Sequence, residues 1–306
     1  MRYLGGKGRL AKQIAYVILS TTKRRDCFLE TCLGGAHAHE QLAPHFAFPH
    51  AGDVHPDLVM MWQAAAKGWV PPSVVTEEQY RWLKDQPPSA LRGFVGFCCS
   101  YAGMWFKCPA RHVKGVPLEY DDVAAAESRV VVRTARALAR TRIERASYEA
   151  WSPLIEAAPE RWVVYEDPPY AGTAEYDGTD GFDHIAFWRN NDRWADLGVE
   201  IFVSEYTAPA HWHILGEVEH TCMVNASRSD ETGKRVERLF TRQRFVRPAP
   251  GWEAEYLARV EAVRASRATP SRGRVAQVVA SSAVASPIVV PVDNFARFAR
   301  TSMVVR

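Results

Sequence analysis

The segment that most constrains this chain is Trp162-Val163-Val164-Tyr165-Glu166-Asp167-Pro168-Pro169-Tyr170. Its first four residues are apolar without alternation, which predicts a strand buried on both faces, as in a parallel sheet covered by helices. Two prolines cannot continue a strand ladder, so the strand must end in a stiff turn that begins at an acid. The rest of the chain alternates to match. Helical spacing covers 10–20, a short apolar run is Cys27-Phe28-Leu29, and His37–Leu42 can start a helix. Ala51-Gly52-Asp53 ends a second strand and Pro56–Ala66 is helical, with Leu58, Met61, Trp62 and Ala65 on one face. Later, 123–139 reads as a basic helix, 182–197 as a helix and Ile201-Phe202-Val203 as a strand. Segments 218–225 and 236–242 read as strands paired around Asp230-Glu231-Thr232-Gly233. Strand and helix in alternation predict an α/β doubly wound sheet.

The alternation breaks from 67 to 122, where Pro71-Pro72, Pro87-Pro88 and a Cys/aromatic cluster predict an inserted, mainly helical subdomain. The expected organisation is a discontinuous domain, 1–66 and 123–247, with the insertion at 67–122 and a basic, flexible tail at 248–306. From Arg264 onward there are seven Arg and a single acid, Asp293.

Composition excludes more than it identifies. The chain has 306 residues, 47% hydrophobic and 24% charged, so a folded core is expected and wholesale disorder is not. A net charge of +3 does not by itself announce a nucleic-acid partner, although eight Lys against thirty Arg leaves many planar donors for phosphate or guanine. The six cysteines, at 27, 32, 98, 99, 108 and 222, form no CxxC pair, so zinc and redox motifs are not expected and reduced, buried thiols are. His37, His39, His45, His50 and His55 fall in mixed loop and helix positions and read as solvated or core-rim residues; no metal is assigned. No apolar leader opens the chain, and 275–292 is interrupted by Ser281, Ser282, Pro287 and Pro291, so a soluble, cytoplasmic, monomeric protein with no membrane partner is expected.

The residue types at Asp167-Pro168-Pro169-Tyr170 suit one kind of chemistry. An exocyclic base amine is a poor nucleophile because its lone pair is delocalised into the ring. A carboxylate and a backbone carbonyl are acceptors for its two N–H groups, prolines fix their aim, and Tyr170 offers a face to a base swung out of its stack.

The tetrapeptide resembles the catalytic motif of S-adenosylmethionine-dependent amino-methyltransferases acting on DNA. Further elements resemble the Dam-like, D12 class of adenine-N6 enzymes, in a phage-like form. Tyr3-Leu4-Gly5-Gly6-Lys7 is similar to the class's amino-terminal aromatic-x-Gly-Gly-Lys element. Phe28-Leu29-Glu30-Thr31-Cys32-Leu33-Gly34-Gly35-Ala36 is similar to its cofactor loop, and Gly52-Asp53-Val54-His55-Pro56-Asp57-Leu58 to the acidic turn that follows. Gly181-Phe182-Asp183-His184, Phe187-Trp188 and Phe202-Val203-Ser204-Glu205-Tyr206 match downstream segments, so the likeness runs in order over roughly residues 1–245. It implies a Rossmann-like S-adenosylmethionine methyltransferase sheet with an inserted target-recognition subdomain. It also implies S-adenosylmethionine as cofactor, double-stranded DNA as partner, and a bacterial cell or its phage-infected counterpart as setting.

By the same resemblance Asp167, Pro168, Pro169 and Tyr170 are catalytic, and Tyr3, Gly5, Gly6, Lys7, Glu30, Gly34, Gly35, Asp53 and Asp167 bind cofactor. Glu30 would accept from the cofactor amine, Asp53 would take its ribose hydroxyls, and Lys7 would sit near the cofactor carboxylate or the catalytic pocket. Three departures stand out. Thr31 and Cys32 replace the usual Pro and aromatic, Glu166 precedes the catalytic acid, and Ser204-Glu205-Tyr206 lacks an Asn. Glu166 would raise the pKa of Asp167 unless strand alternation points it away. DNA contacts are expected from Lys107, Arg111 and Lys114 in the insertion, from Arg133 and Arg136 (with Arg140) on one helix, and from Arg228, Lys234 and Arg235 at the late hairpin. The same pocket logic admits N4 of cytosine or an RNA base, and the departures admit a DNA-binding relative without turnover.

Overall fold

The computed structural model describes residues 1–110, 112–113, 116–117, 120–171, 181–221, 234–242, 248–268 and 304–305. In chain order these form α1 (Ala11–Thr21), β1 (Cys27–Glu30), α2 (His37–Leu42), β2 (Phe48–Asp53), α3 (Pro56–Ala66), α4 (Glu77–Lys84) and α5 (Ala90–Gly93). The short strands β3 (His112–Val113) and β4 (Val116–Pro117) come next, then α6 (Tyr120–Leu138), β5 (Arg142–Arg145), α7 (Ser152–Glu156) and β6 (Trp162–Glu166). The chain continues through α8 (His184–Leu197), β7 (Glu200–Glu205), β8 (Trp212–Thr221), β9 (Lys234–Arg242), α9 (Trp252–Ala268) and β10 (Val304–Val305).

The main sheet runs β5-β2-β1-β6-β7-β9-β8-β10. Counted within the sheet in chain order, the first seven strands lie 3-2-1-4-5-7-6. The first five are mutually parallel, and β9 enters antiparallel between β7 and β8. This is the expected Rossmann-like sheet, with its topological switch between β1 and β6, where Glu30 pairs with Tyr165. The hairpin differs from the sequence reading: β8 starts at Trp212, six residues earlier than expected, and the turn itself lies outside the described residues.

Alternation on the central strands sends side chains into two cores. Phe28, Val163, Tyr165 and Phe202 pack with Leu10, Ile14 and Ile18 of the α1 region and Leu42 of α2. Leu29, Trp162, Val164, Ile201 and Val203 pack on the other face with Ile155 of α7 and Phe187, Trp188 and Trp194 of α8. That second core also takes Trp252, Tyr256 and Val260 of α9, so the segment read as a flexible tail begins with a helix docked on the sheet.

The insertion shares a third core with its neighbours. Tyr80, Leu83, Phe94, Phe97 and Phe106 pack with Leu58, Met61 and Trp62 of α3 and with Val131 and Leu138 of α6. It contains α4, α5, a π-helical turn at Phe94–Cys98 and the β3–β4 ribbon. The approach of α5 to α3 is very close: a Cβ on Gly93 would lie 2.3 Å from the Asp57 carbonyl oxygen. Backbone cannot yield as a flexible side chain does, so Gly93→Ala should destabilise the chain by roughly 2–3 kcal/mol despite better helix propensity. Its chemical-denaturation midpoint should fall; an unchanged midpoint would show that the α3–α5 contact is looser.

Candidate active site

The carboxyl ends of four adjacent parallel strands each carry an acid. These are Asp53 on β2, Glu30 on β1, Glu166 followed by Asp167 on β6, and Glu205 on β7. Relative exposure is 7% for Asp53, 3% for Glu30, 0% for Glu166 and 1% for Glu205, whereas the Asp167 side chain keeps 17%. Asp167 is therefore the acid of this row that a substrate from solvent meets.

The amino-terminal segment closes over it. Lys7 Nζ lies 2.7 Å from Asp167 Oδ1 and 3.2 Å from Glu237 Oε1 of β9, donates to the Gly5 carbonyl, and sits 4.6 Å from the centre of the Tyr170 ring. Tyr170 donates its hydroxyl to Glu237 Oε1 at 2.8 Å and meets Tyr206 edge-on at 4.7 Å. Glu205 accepts the Ala171 amide at 2.5 Å and also the Tyr206 amide, tying the exit of the Pro-Pro turn to β7. Burial pushes the Asp167 carboxyl up to about 6; Glu237 adds to the rise, and Lys7 opposes it.

Glu166 takes the other face. It shares the strand face of Trp162 and Val164 and accepts the Thr31 hydroxyl through Oε2, while Oε1 has no hydrogen-bond donor among the described residues. Burial raises its pKa to about 8. The like charge beside Asp167 comes from Glu237, a residue outside every motif singled out in the sequence.

The β1 loop and the β2 turn are joined by Asp53. Its carboxylate accepts the Gly34 amide and the His55 amide, each at 2.9 Å. Gly34 has φ +46°, and a Cβ there would lie 2.8 Å from Tyr3 Cε1, so the Tyr3 ring reaches the loop because glycine leaves room. The Gly34 carbonyl accepts from Trp62 Nε1. Tyr3, Gly34, Gly35, Asp53 and Lys7 are thus brought around one strand edge. The buried His39 departs from the sequence reading: it is neither solvated nor at a rim. Its Nδ1 lies 3.3 Å from Glu30 Oε2 without hydrogen-bond geometry, and its Nε2 lies 3.0 Å from Thr141 Oγ1. Burial lowers its pKa to about 3, and burial with the neighbouring acids holds Glu30 well above the carboxylate range.

The orphaned Oε2 of Glu30, beside a glycine loop and a further acid on β2, fits a ligand that brings an amine donor. S-adenosylmethionine, the cofactor implied by the resemblance, has one. Glu30, Gly34, Gly35 and Asp53 are the residues that would hold it. No group of His, Cys, Asp and Glu suited to a metal occurs among the described residues.

The residues expected to contact DNA are more scattered. Lys107 is exposed. Arg133 and Arg136 lie on the exposed face of α6 in a row with Arg129, Arg140 follows just past its end, and Arg133 pairs with Glu40 at 3.3 Å. Arg111, Lys114 and Arg228 lie outside the described residues. Lys234 and Arg235 open β9, opposite Thr221 and His220. Cys108 is exposed, against the expectation of buried thiols, and the five described cysteines are free. No described helix is long and apolar enough to cross a membrane.

No protein-family model and no curated protein matches the chain. Among solved structures it is similar to a SAM-dependent methyltransferase from Agrobacterium tumefaciens. Identity is 10% and the TM-score 0.34; the match covers 78% of this chain and 62% of that one, so the chain spans under two thirds of that structure's length.

Proposed function

We propose that this chain is an S-adenosylmethionine-dependent methyltransferase acting on the N6 amine of an adenine swung out of double-stranded DNA. The observation that carries the reading is the Asp167-Pro168-Pro169-Tyr170 turn at the end of β6, at the sheet's switch point, with Asp167 partly open to solvent and Tyr170 beside it. Bound cofactor supplies a methyl group on a sulfonium, already a good leaving group.

The chain's own residues do the rest by positioning. Asp167 in its ionised form accepts one N–H of the amine, and the turn's backbone carbonyl accepts the other, leaving the lone pair directed out of the ring plane. Tyr170 gives the base a face to stack on, worth about 1–3 kcal/mol. Prolines 168 and 169 and the Glu205 carboxylate keep the acceptors from relaxing when no base is present. The arginine row on α6, with Lys107, supplies phosphate partners, a basic surface framing an acidic pocket.

The test is product analysis. The full chain is incubated with labelled methyl donor and duplex DNA or RNA, and the products are digested to nucleosides and resolved by mass spectrometry. N6-methyladenine from duplex DNA, absent with Asp167→Ala, is the expected result. N4-methylcytosine or a methylated RNA base would move the same chemistry to another amine. No product on any substrate, together with no cofactor binding by calorimetry, would leave a non-catalytic relative.

A further inference from the structure

Glu237 joins the two groups closest to Asp167. Its Oε1 accepts the Tyr170 hydroxyl at 2.8 Å and lies 3.2 Å from Lys7 Nζ, while Lys7 stands 2.7 Å from Asp167. It is 7% exposed, at a strand position whose neighbour on the same face, Leu239, is a core residue. A buried acid there is costly unless paired. Tyr170 and Lys7, both beside Asp167, are among its partners.

The arrangement has a consequence for substrate entry. An amine seeking Asp167 competes with an ammonium already held at 2.7 Å. If Lys7 had a single carboxylate partner, releasing it would strand a buried cation. Glu237 already stands as a second acceptor at 3.2 Å, so Lys7 keeps a charge-assisted contact when Asp167 turns away. The Tyr170 hydroxyl bond, made to the same oxygen, fixes the ring edge-on to Tyr206. Resting on the reading above, we propose that Glu237 is a positioning residue for the reaction: it orients the Tyr170 ring and holds Lys7 when Asp167 turns to the substrate amine.

Glu237→Gln separates this from a merely structural role, because the amide oxygen still accepts from Tyr170 while the charge that draws Lys7 is gone. The titratable and charged groups facing Asp167 include Lys7 from the amino-terminal segment, Glu237 from β9, Tyr170 from its own turn, Glu30 from β1, Cys32 from the loop after it and Tyr165 from β6. Removing the negative charge of Glu237 takes away a like charge beside Asp167 and a competitor for Lys7, so the titration midpoint of Asp167 should drop. The drop is read by carbon-13 NMR of the full chain labelled at Asp carboxyls, with no substrate or cofactor present. In the active enzyme kcat should fall by roughly ten- to a hundredfold with KM for DNA little changed, since Asp167 would be locked to Lys7.

An unmoved midpoint, or an unaltered kcat in an active enzyme, overturns the proposal. If the wild-type chain methylates no base, the functional reading fails on its own. The midpoint then still decides whether Glu237 governs the partner choice of Lys7.

Discussion

Asp167→Ala should lower kcat by about 10²–10⁴-fold, the range typical of removing one positioned proton-transfer or charge-stabilising group. Asp167→Asn is the more informative partner, because its amide oxygen still accepts a hydrogen bond from the amine but carries no charge to titrate. The free wild-type carboxyl titrates at about 6, raised by burial and by Glu237 against the pull of Lys7. Only its ionised form sets a negative charge against the positive charge that develops on the amine, so kcat/KM, which reports groups in the free enzyme, should be flat above neutrality. It should fall tenfold per pH unit below about 6. With Asn at the position the acidic limb should vanish while a lower, flat rate persists. A wild-type profile level down to pH 5, or an Asn variant that keeps the limb, would assign the titration to another group.

The central strands were legible because burial on both faces removes alternation. Trp162 to Tyr165 and Cys27 to Leu29 read as central strands, and the acids ending them fell where the sheet places ligands. Lys7, Tyr3 and Asp53 were legible only as parts of motifs; that Lys7 reaches Asp167 depends on a chain path that no local pattern encodes. Glu237 was not legible as a site residue, and Glu205 entered only within the segment Phe202 to Tyr206 that resembles the class. A Glu within Val-Glu-Arg-Leu reads as the solvent side of an edge strand, and it turns inward here because β9 is inserted between β7 and β8. His39 was misread for a related reason. Its environment is set by Glu30 and Thr141, 9 and 102 residues away, and local sequence around a short helix does not report such neighbours. The docking of α9 was hidden by composition: its Trp252, Tyr256 and Val260 are three apolar anchors in a stretch otherwise rich in charge.

Glu166→Gln should make the protein more stable near neutrality, the reverse of the usual result for changing a fully buried residue. The folded-state pKa is about 8 against an ordinary 4.5, so the neutral carboxyl is the form the fold accommodates. A raised acid contributes fully below its unfolded pKa and loses that contribution as pH rises toward the folded one. Between about pH 4.5 and 8 the wild type should therefore lose about 1.4 kcal/mol per pH unit at this site, roughly 3 kcal/mol by pH 7. Gln cannot ionise and still accepts from Thr31, but its amide N–H needs an acceptor at the place where Oε1 makes no hydrogen bond, which returns part of the gain. A net advantage of about 2 kcal/mol at pH 7–8 is expected, vanishing by pH 4, read from urea midpoints across that range. Equal midpoints at pH 8 would mean that Glu166 is ionised and compensated in the fold. An acid kept at this cost one residue before Asp167, bonded to the loop that follows β1, is where a requirement other than stability acts. The same variant supplies the control: if Glu166 serves a cationic cofactor, calorimetric affinity for S-adenosylmethionine should fall in the stabilised protein, and unchanged affinity would leave the acid with no binding role.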